Sequence, residues 1–125
     1  MKNIIISVSL IIAIFATVLV LSIYLGKTLF KLEEAVKNYE ITNKDNLSEV
    51  KKDFTVYYQS FRKYLIFLSF LMPDDILSEI ENGYLDIISY SQAGSYESVL
   101  ASKARLANDL ENSRKMTTVG LMSVF

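Results

Sequence analysis

Residues 62–75 read "RKYLIFLSFLMPDD", nine apolar or near-apolar residues held between two cations and two carboxylates. A second membrane span, the middle of a soluble core and a surface for a partner would each give a different protein. At about 1.5 Å per residue a helix from Tyr64 to Met72 covers roughly 14 Å, whereas the hydrocarbon of a bilayer is about 30 Å thick. The second-span reading fails. The apolar residues of this stretch surround the helix rather than line one stripe. Such a helix is enclosed by neighbours, or it turns a face to the membrane interface or to another protein's membrane helices.

Working backwards, Leu47, Val50, Phe54, Tyr57, Phe61, Tyr64, Leu68 and Leu71 alternate spacings of three and four. That seam predicts one helix from Leu47 toward Met72. Asn46 is its expected N-cap, with Glu49 returning the bond. Pro73 stops the helix by disfavouring helical backbone at the residue before it. Asp74 and Asp75 then open another, where carboxylates suit the positive end of the helix dipole.

The next helix carries Leu77, Ile80, Tyr84 and Ile87 on one stripe, with Gly83 inside it. A mid-helix glycine costs about 1 kcal/mol relative to alanine, which implies a kink or a close helix contact there. "SQAGS" (91–95) is a turn, with Gly94 suited to a left-handed helix end. A last helix follows through Tyr96, Val99, Leu100, Ala104, Leu106, Ala107 and Leu110, and "VGLMSVF" reads as a short apolar tail.

The other end of the chain is different in kind. Ile4–Leu25 carries no charge, and a membrane-crossing helix needs about 20 such residues. The run is longer than the apolar core of a signal peptide, about 7–15 residues, and no small-x-small cleavage site follows it. Residues 1–26 are therefore read as an uncleaved single-pass anchor and residues 27–125 as a helical bundle domain. Leu29, Leu32, Val36 and Tyr39 keep the helical stripe going past Gly26, so the anchor helix is expected to run on until the cluster at 42–46. The fold class is all-α: an N-terminal transmembrane helix continuing into a small antiparallel bundle of three to four helices, arranged as two αα-hairpins.

The cell membrane is the expected location. Counting Lys2 before the run against Lys27, Lys31 and Lys37 after it puts the C-terminal side in the cytoplasm. A minimal basic N-terminus before a long apolar run is the pattern of a secretory-type anchor, and on that ground the domain is read as extracytoplasmic.

The 125 residues carry a formal charge of −1, with acids within a few positions of the bases. No basic stripe forms, which argues against nucleic acid. The chain has neither His nor Cys, which removes the commonest general base and the soft metal ligands. No metal or other cofactor is expected. Asp74, Asp75, Glu79 and Glu81 cluster, but they start a helix and lack the loop of a calcium site. They read as a solvated helix end, or as partners for Lys103 and Arg105. Glu79 and Glu81, two apart, point in different directions and cannot converge on one atom. No nucleophile–base pair is evident, so the chain is read as no enzyme. The aromatic series Phe54, Tyr57, Tyr58, Phe61, Tyr64, Phe67 and Phe70 reads mainly as core.

From Phe67 onward, "FLSFLMPDDILSEIENGYLDIISYSQAGSYESVLASKARLANDLE" and the terminal Leu121-Met122-Ser123-Val124-Phe125 resemble the uncharacterised bacterial family catalogued as domain of unknown function 4363. Its members are short Gram-positive proteins, many of them clostridial. The resemblance implies an N-terminal membrane segment, a helical remainder and no activity.

The expected function is that of a membrane-tethered interaction or scaffolding protein, held to lipid by its N-terminal helix. It would meet a membrane-protein partner, or a second copy of itself, through Phe67, Phe70, Met72, Leu121 and Phe125. The alternative is a membrane-linked sensor or binding module for a small apolar ligand or a cation, which needs a pocket near Gly83 and the tyrosines.

Overall fold

The computed structural model describes the backbone of residues 1–70 and 72–124, and the side chains of these except 44 and 117–124. Four helices account for nearly all of it: α1 (Lys2–Lys37), α2 (Leu47–Leu68), α3 (Asp74–Ala93) and α4 (Tyr96–Val124). The protein is all-α, and α1 is the one helix among the described residues long and apolar enough to cross a membrane.

α1 runs without a break through Gly26, as the continuing stripe requires. Its first half is exposed, and burial begins at Ser22 and Leu25, inside the last turns of the uncharged run. From there Leu25, Leu29, Leu32 and Val36 form one edge of the core. The helix ends at Lys37, earlier than the expected 42–46 cluster, with the Asn38 amide donating to the Glu34 carbonyl. Asn46 does not cap α2 with its side chain. A 3-10 turn, Lys44–Asn46, precedes the helix instead. The Asn46 amide donates to the Asn43 carbonyl there, so a backbone carbonyl takes the amide that the Glu49 side chain was expected to take.

α2 closes at Leu68, one turn before Met72. Pro73 adopts extended backbone (φ −61°, ψ 150°) as the N-cap of α3, and the Asp75 carboxylate accepts a hydrogen bond from the Ile76 amide at 3.0 Å. α3 ends as the sequence predicts, with Gly94 in the left-handed region (φ 74°). The Ser95 amide reaches back to the Tyr90 carbonyl at 3.0 Å, a closure that suits glycine because it has no Cβ to clash. α4 extends to Val124, so the stretch read as a tail is helical up to that residue; no proline interrupts it.

The packing order is not the chain order. α2 lies along α3, α3 along α4, and α4 along α1, whereas α1 and its chain neighbour α2 touch sparsely. Antiparallel register is visible in each close pair. Tyr96 reaches the Ile41 carbonyl at one end of the α1–α4 seam, and Arg114 reaches Glu33 farther along. Arg62 approaches Glu81 between α2 and α3, and Arg105 approaches Asp86 between α3 and α4. Phe54, Phe61, Leu68, Ile80, Tyr84, Ile87, Leu106 and Leu110 fill the space enclosed by the four helices.

Gly83 marks the tightest approach. A Cβ there would stand 3.0 Å from Leu106 Cδ1 and 3.2 Å from Leu106 Cβ. The close helix contact that its position implied is therefore between α3 and α4.

Candidate functional site

Two features stand along α1, the first where α2 returns to its apolar half and the second where α4 packs on it. Tyr39 contacts Phe54 and Tyr57 near the top of the pair, with ring centroids 5.0 and 6.1 Å apart. Tyr64 contacts Tyr24 edge-on at 6.2 Å near the bottom. α2 thus descends beside α1 until it reaches the last turn of the uncharged run. The residues after Tyr64 stand level with that turn or beyond it.

At this level the apolar end of α2 divides. Leu68 and Met72 turn inward and join the core, Met72 being only 4% exposed. Ile66, Phe67 and Phe70 turn outward and are 71%, 47% and 75% exposed. The stretch is neither wholly enclosed nor wholly surface; the last turn of α2 and the residues that follow it divide between the two environments. Of the residues read as a contact surface, Phe67 and Phe70 are exposed, while Met72 is held in the core and offers no surface. Leu121 lies where no side chain is described, and Phe125 and Leu71 lie outside the described residues.

The second feature is a charged seam between α1 and α4. Glu33, its side chain 2% exposed, holds Lys37 at 2.9 Å and Arg114 at 2.6 Å. Lys37 also approaches Glu111 at 3.4 Å, which pairs with Lys115 at 3.3 Å. The Arg114 guanidinium lies over the Phe30 ring, 5.7 Å from its centre. Lys103 donates to the Lys37 carbonyl at 3.4 Å, satisfying the end of α1. Burial pushes the Glu33 carboxyl up, but the hydrogen bonds and charges of Arg114 and Lys37 outweigh it and hold the group below the usual glutamate range. A buried carboxylate needs such partners. The sequence carried a signal for this: Glu33 falls four after Leu29 and three before Val36, on the buried stripe rather than off it.

The acidic group after Pro73 stays apart. Asp74, Asp75 and Glu79 are exposed. Glu81 is taken by Tyr58, whose hydroxyl donates at 2.8 Å, and by Arg62 at 3.6 Å. The expected pairing with Lys103 and Arg105 is absent among the described residues: Arg105 approaches Asp86 instead, at 3.8 Å. No group of three or more potential metal ligands converges among the described residues. The space beside Gly83, where a small-ligand pocket was expected, is filled by Leu106. Tyr84 lies fully buried against Phe61 and Tyr58, and its hydroxyl has no hydrogen-bond partner among the described residues.

No family model, curated protein or solved structure matches this chain.

Proposed function

We propose that this is a single-pass membrane protein whose helical domain sits against the bilayer and engages a membrane-embedded partner through Phe67 and Phe70. Enzymatic chemistry has no part in the reading. The observation that carries it is the placement of Ile66, Phe67 and Phe70, outward-facing and level with the last turn of the apolar half of α1. Tethering by α1 raises the effective concentration of any partner in the same membrane. The domain lies on the extracytoplasmic side of a Gram-positive cell, a reading supported by the minimal basic N-terminus before the apolar run and by the resemblance of the sequence to the uncharacterised bacterial family.

Two experiments test this. A photo-crosslinking residue at Phe70 in native membranes gives a discrete protein adduct, while the same residue at Ser89, exposed on α3, gives none; labelling of lipid alone from Phe70 overturns the partner reading. The chain is free of cysteine, so Ser89→Cys provides a single thiol, and its modification in intact cells by a membrane-impermeant maleimide establishes the side. The filled space at Gly83 gives the alternative of a small-ligand sensor no support.

A further inference from the structure

The sparse contact between α1 and α2 leaves a cleft of about 310 Å³ just beyond the uncharged run, lined by Tyr24, Lys27, Thr28, Lys31, Ser60 and Tyr64 over a floor of Leu32. Below it, sharing Tyr24, is an almost wholly apolar groove of about 470 Å³ along Ala16, Thr17, Val20 and Leu21. We infer that the two together bind one anionic glycerophospholipid, its phosphate in the cleft and one acyl chain in the groove.

The cleft selects for an anion. Lys27 and Lys31 are four apart on α1 and neighbours on one face. Neither forms an ion pair among the described residues, in contrast to Lys37, Arg62, Arg105, Arg114 and Lys115. No carboxylate lines the space among the described residues, and α2 contributes two hydroxyl-bearing residues, Ser60 and Tyr64, to its lining. Ammonium and hydroxyl donors suit a phosphodiester oxygen, whereas the cationic group of a zwitterionic headgroup would meet two like charges. The groove suits a chain: below Tyr24 its lining is apolar except for Thr17, which turns its hydroxyl back to the Ala13 carbonyl at 2.8 Å. Polarity along α1 thus runs in the order of a lipid, hydrocarbon first and phosphate one turn beyond Tyr24. That turn falls where the headgroup layer of a bilayer begins if α1 spans it, so the site rests on the anchor reading above.

A soluble phosphate ester shares the headgroup chemistry but has no use for the groove, and the test separates the two. Full-length protein is reconstituted into vesicles of phosphatidylcholine with or without phosphatidylglycerol, floated, and its retained lipid measured by native mass spectrometry. Selective retention of phosphatidylglycerol is expected. Lys27→Gln with Lys31→Gln should weaken it about thirtyfold, each base contributing about fivefold at an anionic surface. Val20→Trp, which fills the groove, should abolish it, while Lys51→Gln with Lys52→Gln leaves it unchanged. Equal retention of both lipids, or equal loss in the two lysine pairs, overturns the site while co-flotation still supports the anchor. Displacement by glycerol 3-phosphate, undiminished in Val20→Trp, overturns the lipid in favour of a soluble anion. Failure to float with either vesicle overturns anchor and site together.

Discussion

Arg114 Nε stands 2.6 Å from Glu33 Oε2 across the seam between α1 and α4. The pair joins the helix that carries the apolar run to the last helix of the bundle, and Glu33 is withdrawn from solvent. Removing one partner of a buried pair leaves an uncompensated charge and costs about 3–5 kcal/mol. Lys37 remains beside Glu33, so Arg114→Ala is expected at the lower end, about 3 kcal/mol. Glu33→Leu with Arg114→Leu should recover most of that loss, because apolar replacements of similar volume restore packing without a stranded charge. Thermal melts followed by helical circular dichroism in detergent check both.

The same carboxylate sets a pH dependence. Its folded-state pKa lies below the unfolded one, so its contribution is complete above the ordinary glutamate range. That contribution is lost as pH falls through the depressed value. The melting temperature of the native chain should therefore drop on acidification below about pH 4.3, the unperturbed glutamate value. Glu33→Gln should start lower and fall less steeply.

Gly83→Ala opposes two effects. Alanine gains about 1 kcal/mol of helix propensity, but its Cβ would press on Leu106 at 3.0 Å, and overpacking costs about 1–3 kcal/mol. Net destabilisation is expected. In a Leu106→Ala background the 3.0 Å contact with Cδ1 disappears while that with Cβ at 3.2 Å stays, so the cost of Gly83→Ala should shrink, and a double-mutant cycle in chemical denaturant should show the coupling.

Tyr84→Phe should raise the melting temperature. The Tyr84 hydroxyl is buried without a partner among the described residues, and a stranded polar group of this kind costs about 1–3 kcal/mol. Burial also pushes the phenol well above its usual range, so an absorbance titration should lose one late-titrating tyrosine in the variant.

Met72 and Phe70, two residues apart, should respond oppositely. Met72→Ser opens a hole in the core and costs about 2–5 kcal/mol, by comparison with large-to-small core substitutions. Phe70→Ser removes a side chain that is three-quarters exposed and should leave the melting temperature within about 0.5 kcal/mol of native stability. Its effect should instead fall on the crosslinked adduct.

The helices and the core stripe were legible because the signals for them are local. Spacings of three and four name Phe54, Phe61, Ile80 and Ile87 as core, and Gly94 needs only its own backbone freedom to end α3. Helix pairing was less legible. Nothing local in Leu29–Val36 says that the stripe faces α4, some seventy residues on, more than α2. The decisive contacts, Glu33 with Arg114 and Gly83 with Leu106, are tertiary. Lys27 and Lys31 could be read only as a charge count until α2 brought Ser60 and Tyr64 opposite them. Phe67 and Met72 differ in fate because the rotation between them crosses the rim of the enclosed face, and a pattern apolar all round the helix carries no mark of where that rim lies.

α1 is one continuous helix through Gly26, from its apolar half into the half that the bundle grips. In a bilayer thinner than the apolar length, such a rod leans to match, at a cost of fractions of a kcal/mol per Å. On the proposed membrane reading, the ion pair of Glu33 with Arg114 carries that lean from α1 to α4, and the exposed Phe67 and Phe70 turn with the domain, as the needle of a gauge turns with its spindle.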